Sequence, residues 1–102
     1  MAQALPTLED KAGEVAGLLS LIANERRLLM LCHISRAGEI TVGRLGELVG
    51  LSQSALSQHL ALMRERGVVA TRRNGVSIHY RLADARIEKL MASMMEIFCP
   101  PE

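Results

Sequence analysis

The stretch that decides the fold is residues 51–82, LSQSALSQHLALMRERGVVATRRNGVSIHYRL, because the spacing of its apolar residues changes halfway along. In the first half, Ser52 precedes a run with helical spacing and Gly67 follows it, which predicts a helix over about 53–66. In the second half, apolar and polar residues alternate around Asn74-Gly75. This pattern predicts two strands joined by a type I′ turn, which requires positive φ at both turn residues.

Four further segments have the apolar spacing of amphipathic helices, and each follows a residue suited to N-capping. The segments are 8–22, 25–36, 42–49 and 85–98, and the caps are Thr7, Asn24, Thr41 and Asp84. A short helix, a tight turn and a longer helix form a helix-turn-helix, and a hairpin directly after it is a wing. We therefore predict a mainly α winged helix-turn-helix with a two-stranded β-wing. The pattern alone leaves open a helical domain with an incidental hairpin.

The composition indicates one globular domain over residues 1–102, with residues 1–7 as a flexible tail. Apolar residues make up 49% of the chain and charged residues 23%. No apolar run reaches the roughly 18 residues of a membrane span, and no signal-peptide pattern is visible, so we expect a cytoplasmic protein without a membrane partner. Because a domain this small buries apolar surface inefficiently, we expect a homodimer.

The charge is unevenly distributed, although the whole chain carries only +1. Residues 41–82 carry a net charge of +4, whereas residues 1–40 carry −1 and residues 83–102 carry −2. All six basic residues of the middle segment are arginines, which pair well with phosphate and guanine. A basic middle between acidic flanks indicates an anionic partner, and in a winged helix that partner is double-stranded DNA.

The helix over 53–66 has an outer face of short, uncharged, hydrogen-bonding side chains, which suits entry into a DNA major groove. The predicted DNA contacts are Gln53, Ser54, Ser57, Gln58 and Arg64 from this helix, and Arg72, Arg73, Asn74 and Arg81 from the wing. The alternative is that these residues bind no ligand and simply form a neutral helix face and solvated strand ends. His59 lies nearer the apolar side of the helix, so we expect it to be half-buried in packing.

Three segments carry a family resemblance: ANERRLLMLC at 23–32, LSQSALSQHL at 51–60 and RERGVV at 64–69. Over about residues 8–99 the chain resembles the ArsR/SmtB family of bacterial winged-helix repressors, and within it the HlyU/BigR-type thiol sensors. The resemblance implies a homodimer held by the first and last helices, with the fourth helix in the major groove of an inverted-repeat operator. The dimer contacts predicted on that basis are Val15, Leu18, Leu19, Leu90, Met91, Met94 and Met95. It also implies release of DNA when an inducer binds or reacts.

The metal motifs of this family are missing at the matching positions. The third helix contains no Cys-x-Cys pair, and the last helix contains no histidine. Transition metals prefer thiolate and imidazole ligands, so we expect no metal and no cofactor. A thiol redox enzyme is equally disfavoured, because the chain lacks a Cys-x-x-Cys motif and a βαβ pattern. We therefore expect a protein that is not an enzyme.

The two cysteines, Cys32 and Cys99, are the remaining candidates for a sensor. The residues alone favour two unrelated thiols, with Cys32 packed as a small apolar side chain beside Leu28 and Leu31. Arg36, one helical turn further on, is placed to favour the Cys32 thiolate. The resemblance implies a sensing pair, and so a repressor whose DNA affinity changes when the thiols join through a disulfide or polysulfide. The alternative is a redox-insensitive regulator or an anti-repressor with structural cysteines.

Overall fold

The structure is a computed structural model that describes residues 7–100. The elements in chain order are α1 (Leu8–Ile22), α2 (Glu25–Ala37), β1 (Ile40–Thr41), α3 (Val42–Val49), α4 (Gln53–Glu65), β2 (Val69–Asn74), β3 (Ser77–Leu82) and α5 (Ala85–Phe98). The predicted mainly α architecture with a wing is confirmed, and the helix bounds differ from the predicted ones by at most one residue. The predicted tail, apart from Thr7, lies outside the described residues.

All five helices begin at the residues predicted as N-caps. At each start the cap side chain accepts a hydrogen bond from a backbone N–H in the first turn, as at Ser52, whose hydroxyl oxygen accepts from Ala55 at 3.2 Å. These bonds satisfy donors that have no partner within the helix. In α1 the bond is reciprocal, because Thr7 and Asp10 form a capping box. Local side-chain chemistry therefore fixes where the helices start.

The core forms where the apolar faces of the helices meet the inner face of the sheet. Helix α2 lies in its centre and packs against α1, α3, α5 and β3. Its residues Met30, Leu31 and Ile34 are fully buried. Helix α4 contributes Leu56, Leu60 and Met63, which are buried on the side opposite its polar face. Because those residues hold one side of α4 inward, the opposite side is fixed toward solvent.

The sheet has three strands in the order β1-β3-β2, and not the two that we predicted. β1 pairs antiparallel with β3, with Ile40 opposite Tyr80 and Thr41 opposite His79. A strand of two residues is too short to show an alternating pattern, so the sequence does not reveal it. This extra pairing joins the base of the wing to the segment between α2 and α3.

The predicted hairpin is confirmed, but the predicted type I′ turn is wrong. Asn74 is the last residue of β2 and pairs with Ser77, so the two loop residues are Gly75 and Val76. Gly75 has φ +65°, and no residue other than glycine has positive φ within residues 7–100. Positive φ at the first loop position alone is the pattern of a type II′ turn, for which glycine is preferred there.

One predicted dimer contact is corrected by the packing of the single chain. Met91 is 0% exposed, since it turns inward beside Ile87 and belongs to the core of its own chain. Leu18, Met94 and Met95 are half-buried and pack partly against the same core. The remaining predicted contacts, Val15, Leu19 and Leu90, are 44%, 48% and 39% exposed. The apolar stripe of α5 is therefore wide enough that one side of it packs in the core while the other side is exposed to solvent.

The wing turn should depend on the backbone freedom of Gly75. A Cβ there meets nothing within 4 Å, so Gly75→Ala changes backbone strain and not packing. We expect a loss of about 1–2 kcal/mol in the free energy of unfolding, because alanine disfavours positive φ. Gly43→Ala is the matched control, since it also meets no atoms but lies in a helix, and it should raise stability by up to about 1 kcal/mol. Urea unfolding at one protein concentration measures both, and equal changes in the two variants would contradict this account of the turn.

Candidate nucleic-acid interface and thiol groove

The solvent side of α4 presents the polar face that the sequence predicts. Gln53, Ser54, Ser57 and Gln58 are all exposed. A groove of about 490 Å³ lies between this helix and the wing, lined by Gln53 and Ser57 on one side and by Val76, Ser77 and Ile78 on the other. The helix face and the wing thus form one continuous surface that offers both donors and acceptors.

Two of the predicted basic contacts, Arg64 and Arg73, lie beside this surface, and neither forms a salt bridge within residues 7–100. Arg81 is also exposed and forms no salt bridge there, but it alternates with the groove-lining Ile78 and Tyr80 along β3 and so lies on the other face of the sheet, where its charge helps to lower the pKa of Glu39. Asn74 is exposed beside Arg73 at the end of β2. Unpaired guanidinium groups next to a polar helix face create a local positive potential, which attracts a polyanion.

Arg72 differs from the other wing arginines because it is already paired within the chain. Its Nη2 and Nε atoms donate to the two carboxylate oxygens of Glu39 at 2.7 and 3.1 Å. The hydrogen bond from Arg72 lowers the pKa of Glu39, and the pairing raises the pKa of Arg72. His79 lies 3.9 Å from the same carboxylate. The Glu39 carboxylate thus fastens the wing to the residue before β1 and offsets part of the wing's positive charge.

His59 is half-buried on α4, as predicted. Its Nδ1 atom lies 3.4 Å from Nη1 of Arg27, whose Nε donates to the carbonyl oxygen of Leu21 at 2.6 Å. These contacts place His59 at the junction of α4 with the α1–α2 connection. The geometry therefore favours a packing role and not a contact with DNA bases.

Both cysteines line one apolar groove between α2 and α5, which we call the thiol groove. Its volume is about 380 Å³, and its apolar lining consists of Leu28, Leu29, Met94, Met95 and Phe98. Cys32 is half-buried in the middle of α2, and Cys99 is exposed at the C-cap of α5. The fold therefore brings two free thiols, 67 residues apart in sequence, into the lining of the same groove.

Arg36 favours the Cys32 thiolate, as expected, but burial outweighs its effect on the pKa. Burial raises the pKa of the Cys32 thiol, and the charge of Cys99 raises it further, whereas Arg36 lowers it by a smaller amount. A thiolate in apolar surroundings is poorly solvated, and one exposed cation a helical turn away does not offset that. Cys32 is therefore mainly a neutral thiol at pH 7.

Glu39 was not predicted as a site residue, and neither were four residues of the thiol-groove lining, Glu25, Leu28, Leu29 and Phe98. Glu39 is separated from Arg72 by 33 residues, so no local pattern connects the two. Within residues 7–100, no group of three or more His, Cys, Asp and Glu side chains is arranged to hold a metal ion. In the same part of the chain, no helix combines the length and the apolar character needed to cross a membrane.

Comparison with known proteins gives concordant results. Residues 24–71 match the family described as "Bacterial regulatory protein, arsR family". The chain is 42% identical over 98 residues to the biofilm growth-associated repressor of Agrobacterium fabrum. The aligned region covers 96% of this chain and 83% of that protein. It is 37% identical over 95 residues to the transcriptional activator HlyU of Vibrio cholerae, covering 93% of this chain and 87% of that protein.

Solved structures extend the likeness to the fold. HlyU from Vibrio cholerae superposes with a TM-score of 0.83 at 37% identity, over 89% of this chain and 98% of that one. The transcriptional repressor BigR from Xylella fastidiosa superposes with a TM-score of 0.82 at 41% identity, over 90% and 93% of the two chains. Both likenesses cover about nine tenths of this chain.

The raised pKa of Cys32 predicts slow alkylation that depends steeply on pH. In a Cys99→Ser variant, the rate with iodoacetamide should still be rising above pH 9, because burial alone keeps the thiol neutral beyond its ordinary range. Arg36→Ala should move this profile to higher pH, whereas Lys89→Ala, at an exposed position of α5, should leave the profile unchanged. Stopped-flow or quenched mass spectrometry measures the rates, and a midpoint below that of a small free thiol would refute the burial argument.

Proposed function

The chain belongs to the ArsR family of bacterial regulatory proteins, and on that premise we propose a homodimeric repressor that is switched by its own two thiols. The family assignment makes it a DNA-binding transcriptional regulator and not an enzyme. The proposed switch is a disulfide or polysulfide link between Cys32 and Cys99, which lowers the affinity for operator DNA. The observation that carries this proposal is that both free thiols line one groove between α2 and α5.

DNA recognition is assigned to α4 and the wing. In this proposal α4 enters the major groove, where Gln58 pairs with adenine and the serines bond to bases or phosphates. Arg64 and Arg73 contact phosphates, which fixes the register of the helix. Arg72 contributes less, because Glu39 already occupies its guanidinium group.

The dimer is assigned to the exposed apolar residues of α1 and α5. Val15, Leu19 and Leu90 supply free apolar surface, and the half-buried Leu18, Met94 and Met95 extend it. A twofold axis through this surface gives two α4 helices related by symmetry. Two such helices read an inverted repeat when they are about 34 Å apart, one turn of DNA.

A link between the thiols acts on this geometry through α2. Cys32 lies on the helix that packs against α3, α5 and β3, and Cys99 ends the helix assigned to the dimer. A covalent tether therefore constrains the angle between the reading domain and the dimer axis. A hundredfold loss of DNA affinity requires only about 2.7 kcal/mol of difference between the two forms.

The relatives support a second possibility for the direction of regulation. One relative is a biofilm growth-associated repressor and another is a transcriptional activator. An anti-repressor, or a regulator in which the thiols are structural, uses the same fold and the same DNA surface. The thiol variants below separate the switched regulator from one with structural cysteines, because only the former loses release from DNA.

Base reading by α4 is tested by Gln58→Ala on an inverted-repeat duplex selected by this protein from random DNA. We expect a loss of about 1–3 kcal/mol on the selected duplex and little change on random DNA. Arg73→Ala should instead weaken both and make the log–log salt slope shallower by about 2 in the dimer, one phosphate contact per subunit. Lys89→Ala is the charge control. Fluorescence anisotropy measures the unmodified protein and the three variants on both duplexes. Equal weakening of binding to the two duplexes by Gln58→Ala would remove α4 as the reading helix.

The proposed dimer surface is tested by Leu19→Glu, since Leu19 is exposed and the change does not disturb the core. Placing a carboxylate in an apolar interface should weaken association by about 2–3 kcal/mol or more. Val76→Glu introduces the same charge at the fully exposed wing tip and should leave association unchanged. Sedimentation velocity over a concentration series reads the result. A Leu19→Glu variant that sediments like the unmodified protein would place the interface elsewhere.

The switch is tested by Cys32→Ser and Cys99→Ser, each of which leaves one thiol without its partner. Both variants should bind the selected duplex as tightly as the unmodified protein, because neither thiol is part of the DNA surface. Both should stay bound under an organic polysulfide that releases the unmodified protein. Release of either single variant would rule out a mechanism that needs both thiols, while leaving the DNA-binding assignment intact.

A further inference from the structure

Tyr80, the only tyrosine of the chain, is held in the middle strand of the sheet. Strand β3 is paired on both sides at this residue, with Ile40 of β1 opposite it on one side and Thr71 of β2 on the other. The Tyr80 side chain is half-buried and packs against the core. A ligand that contacts a side chain already held in place does not have to immobilise it, which avoids part of the entropic cost of binding.

The hydroxyl group of Tyr80 has no partner in the described part of the chain. None of the side-chain hydrogen bonds within residues 7–100 involves it. No buried side-chain oxygen in that range lacks a partner, so the Tyr80 oxygen reaches solvent although its ring packs against the core. A tyrosine that packs into a core usually finds a partner for its hydroxyl group. A fixed hydroxyl group that is open to solvent is therefore available as a donor to a ligand.

Two adjoining clefts meet at Tyr80, and we call them together the α4–wing channel. One cleft, of about 450 Å³, runs along α4 and is lined by Ala61 and Arg64. The other is the groove of about 490 Å³ between α4 and the wing. Tyr80, Ser57 and Val42 line both clefts, which places Tyr80 in the middle of the channel.

The lining of this channel carries no net charge. Among the residues that the structure describes, Arg64 is its one cation and Glu65 is its one carboxylate. Neutral hydrogen-bond donors must therefore make up part of any contact between the channel and a phosphate group. The Tyr80 hydroxyl group is such a donor, at a position that the sheet fixes.

The course of DNA over this channel follows from the proposed function, on which this inference rests. When α4 lies in a major groove and the wing lies beside it, the sugar–phosphate strand at the edge of that groove passes between the two. We propose that the Tyr80 hydroxyl group donates a hydrogen bond to a phosphate of that strand. Because every nucleotide carries a phosphate, this contact positions α4 in the groove and does not read the bases.

The contact is tested by Tyr80→Phe, which removes the donor and leaves the ring in place. With reduced thiols, binding should weaken about tenfold or more, the usual effect of losing a hydrogen bond to a charged acceptor. The loss should be equal on the selected inverted-repeat duplex and on random DNA. The log–log salt slope should stay unchanged, because a tyrosine neutralises no phosphate. The unchanged slope distinguishes this variant from Arg73→Ala, and the equal loss distinguishes it from Gln58→Ala.

Two controls accompany this variant. Ser20→Ala removes an exposed hydroxyl group of α1, outside both cleft linings, and should bind both duplexes like the unmodified protein. The urea midpoint of Tyr80→Phe should equal that of the unmodified protein, because the hydroxyl group has no partner within residues 7–100. A loss of DNA binding at an unchanged midpoint is then a lost contact and not a loss of folding.

Methylphosphonate substitution identifies the contacted phosphate. One methylphosphonate, in which a methyl group replaces the charged oxygen, is placed in turn at each position of the selected duplex. At the contacted phosphate it should weaken binding of the unmodified protein about tenfold and binding of Tyr80→Phe much less, whereas at the other phosphates both proteins should lose equally. Equal losses at every position, or a Tyr80→Phe variant that binds like the unmodified protein, would overturn the contact.

Gln58→Ala on the same two duplexes separates this outcome from the outcome for the proposed function. If Gln58→Ala weakens binding to the selected duplex alone while Tyr80→Phe changes nothing, the Tyr80 contact is wrong and the assignment of α4 stands. If Gln58→Ala weakens binding to both duplexes equally, α4 is not the reading helix, and the inference about Tyr80 fails with that assignment.

Discussion

The core is organised around one buried face of α2. Met30, Leu31 and Ile34 on this face are fully buried, and α1, α3, α5 and β3 pack against the helix. The half-buried Cys32 lies on the same helix, next to this contact face. A helix that is central to packing transmits displacement, because close-packed interiors do not deform smoothly. Because Cys32 lies on α2, we expect a modification of its thiol to displace the elements that pack against this helix.

The two surfaces of interest differ in chemistry as their proposed roles require. The α4–wing surface is polar and has the unpaired Arg64 and Arg73 beside it, whereas the lining of the thiol groove is mostly apolar. A polyanion is attracted to the first surface and disfavoured at the second. The Glu39–Arg72 pair modulates the first surface, since it holds the wing at its base and reduces the positive charge presented there. The surface proposed for DNA and the two thiols proposed as the switch therefore lie at separate places on one small domain.

The sequence predicted those features that local chemistry determines. Capping residues such as Ser52 and Asn24 located the helix starts, and apolar spacing identified the inward face of α4. The features that depend on distant contacts were not predictable in this way. β1 exists only because β3 pairs with it, and the partner of Arg72 comes from outside the wing. Met91 was assigned to a partner chain because an apolar stripe does not show which of its residues the chain's own core will cover.

The central claim is that a link between Cys32 and Cys99 changes affinity for DNA. The most direct measurement takes one preparation in three states, reduced, linked between the two thiols within each chain, and reduced again, with the linkage verified by intact-mass and peptide spectrometry. Each state is titrated against the same selected inverted-repeat duplex at one salt concentration. The account predicts that the linked form binds about a hundredfold more weakly, which is about 2.7 kcal/mol, and that reduction restores the original affinity. Equal affinity in all three states would show that the two thiols do not control DNA binding.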